Sequence, residues 1–269
     1  MTDPRLLPFN GRVALRTLEG QVAAERFVDG DRARVTAPLA DLRATPDGPR
    51  IRQWLRGARV RVIERRAGIA FAQAEADGLV GWLEAVALGP DHPVTHAVTA
   101  PATHLYTAPD LKSPDLAALS CGARLRITGT EGAFLRCADG FVPAQHVARL
   151  DIPAADPVAV AAGLLGTPYL WGGNARAGID CSGLVQVACH LCAIPCPPDS
   201  DLQRAGLGAP LDPDAARRRG DLAFWPGHVG WLTDADTLLH ANAHHMAVVQ
   251  EPLADAIARM GVPAALRRL

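Results

Sequence analysis

The chain has 269 residues, 27 Lys and Arg against 28 Asp and Glu, a formal net charge of -1 and a pI near 6.7. No basic excess points to nucleic acid or a membrane surface as partner, and no run approaches the roughly 18 consecutive apolar residues of a spanning helix. With 49% hydrophobic and 20% charged residues, the length gives a sizeable core and room for two or three domains. Six cysteines are too few for a disulfide scaffold at this length and fit reduced thiols. The first residues, "MTDPRLLPFNGRVALRTLEG", lack the apolar core and cleavage site of a signal peptide, so a cytoplasmic location is the expectation. Residues 1–31 read as an arm with one short helix near "LEGQVAAERFV" (Leu18–Val28).

An internal repeat follows. "VTAPLADLRATPD" begins at Val35 and "VTAPATHLYTAPD" at Val98, and seven of the thirteen positions are identical. Further on, "GARVRVI" (Gly57–Ile63) matches "GARLRIT" (Gly122–Thr128), and "GLVGWLEAVAL" (Gly78–Leu88) matches "GFVPAQHVARL" (Gly140–Leu150). Short apolar alternations such as Val60 and Val62, then Ala70 and Ala72, are broken by Gly, Pro and Asp turns, which predicts two small all-β barrels over 32–91 and 92–150. The unit resembles the bacterial SH3-like domain in its "PD" turn and its closing "G-x-V" strand. The resemblance implies either contact with cell-wall material or a spacer that shapes a neighbour's cleft.

The pattern changes at 151–269. "DPVAVAAGLLG" has a capping Asp156, Pro157 at the first helical position and a closing Gly, which predicts a helix. A glycine-rich loop, "TPYLWGGNARAGIDCSG", leads into "SGLVQVACHLCA", a stretch apolar on nearly all sides and therefore a buried helix. "DLAFW", "HVGWLTD", "TLLHAN" and "MAVVQEPL" are short β-type runs. The region reads as α+β, with helices first and an antiparallel sheet after.

Cys181 stands where the glycine loop enters the buried helix. The free N–H groups and partial positive charge of a helix start stabilise a thiolate, lowering a cysteine pKa from about 8.5 to roughly 3.5–7.5, and the same N–H groups can hold an oxyanion. Cys189, Cys192 and Cys196 lack that position, and "CHLCAIPC" has no second Cys pair to complete a metal site, so these read as packing. His244 and His245 read as a hairpin loop, and Arg217–Arg219 as a solvated turn. A turn near Asp234, Ala235 and Asp236 folds the two β runs into a hairpin. Pairing symmetric about Asp234 sets His240 opposite His228, with Cβ atoms about 4.5–5.5 Å apart. One imidazole would take the thiol proton while the other fixes its tautomer. Asn242, about 6.8 Å further along the same face, is the alternative orienting group.

The order "GTPYLWGGNARAGIDCSG", "GDLAFWPGHVG", "LLHA" resembles the NlpC-type cysteine peptidases of papain-like fold over about 164–250, and the paired SH3-like units resemble one branch of that family. That branch consists of gamma-D-glutamyl-L-diamino-acid endopeptidases, which cut muropeptides carrying a free N-terminal L-Ala. The resemblance implies Cys181 as nucleophile, His228 as base in an ion pair with it, and His240 as orienting residue. It implies Tyr169 near the oxyanion, with Asp180, Ser182, Asp199 and Ser200 at the substrate; Trp171, apart from the resemblance, reads as bordering the cleft. A carboxylate such as Asp199 is suited to selecting a free ammonium group. Two positions depart from the family pattern: Pro198 stands where an Arg is usual, and Leu79 where many first barrels have an aromatic residue, with Trp82 nearby. No metal or organic cofactor is implied, and the expected partner is a muropeptide, in recycling of cell-wall fragments. The alternatives are an amidase or acyltransferase on another acyl substrate, and a non-catalytic binder of peptidoglycan fragments.

Overall fold

A computed structural model describes residues 3–212 and 214–269. It divides into two compact units: one runs to His96 and adds His104–Leu119 and Ala123–Ala144; the other takes Ala97–Thr103, Ser120–Gly122 and Gln145–Leu269.

The first repeat forms one antiparallel seven-stranded sheet. Its order is Arg50–Leu55, Leu39–Arg43, Val80–Glu84, Ile69–Ala74, Arg59–Arg66, Asp31–Val35, Leu88–Pro90. The ladder is open where a closed barrel was expected: its two end strands do not pair, and one of them ends at Pro90, which has no N–H to extend a ladder. The predicted alternation is real. Val60, Val62, Ala70 and Ala72 are buried on one face with Leu42 and Leu79. Trp82 lies in the cluster on the other face, its ring centroid 5.3 Å from that of Phe71.

The N-terminal segment is not an arm. Val13 and Leu15 are buried against Ile63, Phe71, Val80 and Trp82, and the Val13–Leu15 strand pairs in parallel with Arg26–Val28. The helix expected at Leu18–Val28 shrinks to a three-residue 3-10 turn, Arg16–Leu18. Gly20, at φ 79°, leaves helical geometry after one turn, and the apolar residues nearby serve the sheet.

The second repeat builds a five-stranded sheet in the order Asp115–Ser120, Ala102–Tyr106, Gly140–Pro143, Phe134–Cys137, Ile127–Glu131. Leu39–Arg43 and Ala102–Tyr106 are equivalent strands with buried Leu42 and Leu105, and Gly57 and Gly122 share a positive φ of 81° and 88°. The third sequence match is displaced. The 3-10 turns Ala85–Ala87 and Ala144–His146 follow their strands directly, so Gly140 corresponds to Gly81 rather than Gly78.

The other unit carries four helices among the described residues: α1 (Pro157–Ala162), α2 (Cys181–Leu191), α3 (Ser200–Gly206) and α4 (Leu253–Met260). The α1 start is as predicted, with the Asp156 carboxylate accepting from the Val158 N–H at 2.8 Å. A six-stranded sheet runs in the order Ala209–Pro210, Ala265–Arg268, Asp221–Trp225, His228–Leu232, Thr237–Asn242, Ala247–Pro252. α2 is buried along its length except at His190. On α4, Leu253 and Ala256 pack with Trp225, Leu232 and Leu238. This is the α+β layout expected of the region.

Candidate active site

Cys181 is the first residue of α2, and Asp180 is its N-cap. The Asp180 carboxylate accepts from Gly183 N–H at 2.7 Å and from Gly172 N–H at 2.9 Å, and Ser182 Oγ donates to it at 3.1 Å. One side chain thus satisfies a helix-start donor and clamps the glycine loop to it. Gly183 is required: a Cβ there would lie 2.6 Å from Gly173 O and 2.7 Å from Asn174 Oδ1. Cys181 Sγ lies 4.0 Å from the carbonyl oxygen of Gly227, the residue before His228.

The histidines meet by a route other than the expected one. The strands pair Trp231 with Leu239 and Leu232 with Leu238, so the hairpin is centred on Ala235 rather than Asp234. Continuing that register puts Gly230 opposite His240, with His228 diagonal to it. A shift of two residues keeps both histidines on one face, and Gly230 leaves the space through which they touch. His228 Nε2 is 2.7 Å from His240 Nδ1, with ring centroids 5.0 Å apart. The chain of contacts continues: His240 Nε2 is 2.7 Å from Glu251 Oε1, and Arg259 on α4 hydrogen-bonds and ion-pairs with the same carboxylate. Asn242 Nδ2 also lies 2.9 Å from His240 Nε2, so Asn242 contacts His240 alongside Glu251.

Burial, and then the neighbouring His240, push the His228 pKa down to about 4. His228 is therefore neutral at pH 7, and the resting imidazolium expected from an ion pair with Cys181 is disfavoured. Burial likewise lowers His240 against the opposing hydrogen bond from Glu251. At Glu251 burial acts upward, but the Arg259 and His240 hydrogen bonds outweigh it and hold the carboxyl below its usual range. Tyr169 is half-buried, and its hydroxyl is pushed up to about 12 by burial and by the negative charges of Cys181 and Asp180. It is a neutral donor close enough to Cys181 to feel its charge. By contrast, burial raises the Cys192 thiol to about 11.

The remaining predicted residues fall in different surroundings. Asp180 and Ser182 are buried at 6% and 5% exposure, in the helix-start network. Asp199 and Ser200 are half-buried at the N-terminus of α3. That helix is tied to α2 by Gln203, whose Nε2 donates to Ser182 O and Pro197 O at 3.0 Å each. Trp171 is 68% exposed. Glu251, Arg259 and Gly230 were not anticipated. The legible trace of Glu251 is a lone carboxylate on an apolar strand, in register with the histidine strand: Leu238 pairs with Glu251 and His240 with Val249.

Residues 166–260 match the NlpC/P60 family model, and residues 42–88 match the model described as the bacterial dipeptidyl-peptidase Sh3 domain. The chain is 29% identical to a gamma-D-glutamyl-L-lysine dipeptidyl-peptidase of Bacillus subtilis (strain 168), over 61% of this chain and 60% of that protein. It is 37% identical to dipeptidyl-peptidase 6 of Lysinibacillus sphaericus, over 32% of this chain and 31% of that protein. The aligned regions therefore span under two thirds of these relatives. A crystal structure of an NlpC/P60 family protein from Bacillus cereus ATCC 10987 superimposes with a TM-score of 0.77, at 21% identity, over 88% of this chain and 99% of that one. At that identity the likeness shows the fold.

Proposed function

Residues 166–260 are a domain of the NlpC/P60 cysteine peptidase family and residues 42–88 a bacterial SH3 domain, and from that premise we propose that the chain hydrolyses the gamma-D-glutamyl bond to the diamino acid of peptidoglycan stem peptides. The observation that carries the reading is a cysteine at a helix start in the same domain as a chain from half-buried His228 to buried His240 and Glu251. The names of the relatives support the bond; the free N-terminal L-Ala and the role in fragment recycling come from the resemblance in the sequence.

His228 Nε2 is engaged by His240, which leaves Nδ1 to receive the Cys181 proton. As that proton moves, the thiolate attacks the γ-carbonyl carbon of D-Glu. The oxyanion takes hydrogen bonds from the Cys181 backbone N–H and the Tyr169 hydroxyl. Collapse breaks the C–N bond, and His228 returns its proton to the departing amine. A water then loses its proton to His228 and attacks the thioester, releasing the γ-carboxyl product and the Cys181 thiol. Asp199, Ser200 and Trp171 are assigned to the substrate's N-terminal portion, with the Asp199 carboxylate suited to a free ammonium group.

The test is incubation with L-Ala-gamma-D-Glu-meso-diaminopimelate and with its lysine counterpart, followed by mass spectrometry beside a Cys181→Ala control. Release of the free diamino acid by the wild type alone supports the reading. Turnover of neither peptide, nor of an N-acetylated analogue, overturns it. Preference for the N-acetylated form would refute the free-amine requirement.

A further inference from the structure

We propose that Glu251 is a positioning residue that selects the productive tautomer of His240 and, through it, of His228. Two groups compete for one nitrogen. Glu251 Oε1 stands 2.7 Å and Asn242 Nδ2 2.9 Å from His240 Nε2. The Asn242 amide is oriented independently, because its Oδ1 accepts from the backbone N–H of His245 at 2.8 Å, which leaves Nδ2 facing His240. An ionised carboxylate only accepts and an amide NH2 only donates, so the two neighbours demand opposite protonation of Nε2.

If Glu251 prevails, Nε2 carries the proton and His240 Nδ1 is a bare acceptor. His228 Nε2 must then be the donor across the 2.7 Å contact between the rings, and His228 Nδ1 is left with a lone pair for the thiol. If Asn242 prevails, His240 carries its proton on Nδ1 and donates to His228 Nε2. Neutral His228 must then be protonated on Nδ1, the nitrogen that should act as base. The second arrangement is a base already occupied.

Arg259 tips the balance toward the first. It reaches from α4 to the same Glu251 oxygen and keeps the carboxylate ionised, hence acceptor-only. The groups facing the histidine pair are Glu251 from the neighbouring strand, Arg259 from α4, and Asn242 with His245 from the end of the histidine strand and its turn. Glu251 is the only carboxylate among them, so it also stabilises the imidazolium that forms as Cys181 is deprotonated.

The kinetic part of the test rests on the proposed peptidase reading; the spectroscopic part does not. Glu251→Gln keeps the shape and removes the charge. Its kcat should fall about 10- to 100-fold with KM within about twofold, on the scale set by losing the outer hydrogen-bond partner of a metal-bound histidine. The acid limb of its kcat/KM profile should move to lower pH, because the imidazolium is less stabilised. Glu251→Asp should recover part of kcat. Nitrogen NMR of labelled histidines should show Nε2–H on both rings in wild type and Nδ1–H in Glu251→Gln. A kcat within about twofold of wild type, or a lowered kcat with unchanged tautomers, overturns the proposal. If wild type turns over no muropeptide while the tautomers switch as stated, the substrate reading fails and the role of Glu251 stands.

Discussion

A Cβ on Gly230 would lie 2.9 Å from His240 Cβ and 2.8 Å from Leu238 Cδ1, closer than real Cβ atoms approach. Leu238 is fully buried and His240 is held by Glu251, so neither yields without disturbing the sheet or the histidine contact. Gly230→Ala is therefore an overpacking substitution, costing about 1–3 kcal/mol. Because the strain falls on His240, kcat should drop more than the stability loss explains. Urea denaturation and steady-state kinetics on the same variant measure both, and an alanine variant with wild-type kcat would refute this account of the site.

At the scale of elements, the loop-to-helix junction was readable and the hairpin only half so. "DCSG" carries its own local physics: a capping carboxylate, a cysteine at the first helical position and a glycine where backbone presses close. The histidines were assigned to one face by the two-residue period of strands, which survives a slip of two. The register itself depends on turn geometry: Asp236 N–H bonds the Asp234 carboxylate at 2.9 Å and Thr233 N–H the Thr237 carbonyl at 3.0 Å, which centres the turn on Ala235. The sequence does not place Glu251 beside His240, because it lies eleven residues further on, on a strand whose pairing no local signal fixes. At Leu18–Val28 the local composition favours a helix, and the packing of Val13 and Leu15 overrides it. The Asp180 cap gives a prediction at this scale. Asp180→Ala leaves the Gly183 and Gly172 N–H groups without their carboxylate and should cost about 1 kcal/mol. It should also slow iodoacetamide capture of Cys181, read against a Cys181→Ala background, while Asp180→Asn retains most of both properties. Equal capture rates in wild type and the alanine variant would show that the cap does not prepare the thiol.

Across the whole molecule, the shifted carboxylates and histidines act on stability in one direction. In the first unit, hydrogen bonds from Arg5 hold Asp3 down to about 2, and Asp91 lies below its usual range because the hydrogen bond and charge of Arg59 and the charge of Arg34 outweigh its burial. In the other unit Asp156 is lowered by Arg219 and Asp221 by Arg268, each against burial. A lowered carboxylate stabilises the fold above its unfolded pKa and loses that contribution as pH falls through the folded value. His228 obeys the same sign, since its lowered pKa means that the unfolded chain binds the proton more readily. Its contribution is present above about pH 6.5 and lost as pH falls toward 4. Acid destabilisation should therefore come in two stages, histidines first and carboxylates below about pH 4. Between pH 7 and pH 5, where the carboxylates change little, the His228 shift alone removes about 2 kcal/mol. Urea midpoints at the two pH values test this in wild type and in His228→Gln, which has no imidazole to protonate. The wild type should lose markedly more stability than the variant over that interval. An equal loss in both would mean that His228 binds its proton as readily folded as unfolded, and the neutral resting base inferred for the site would fall with it.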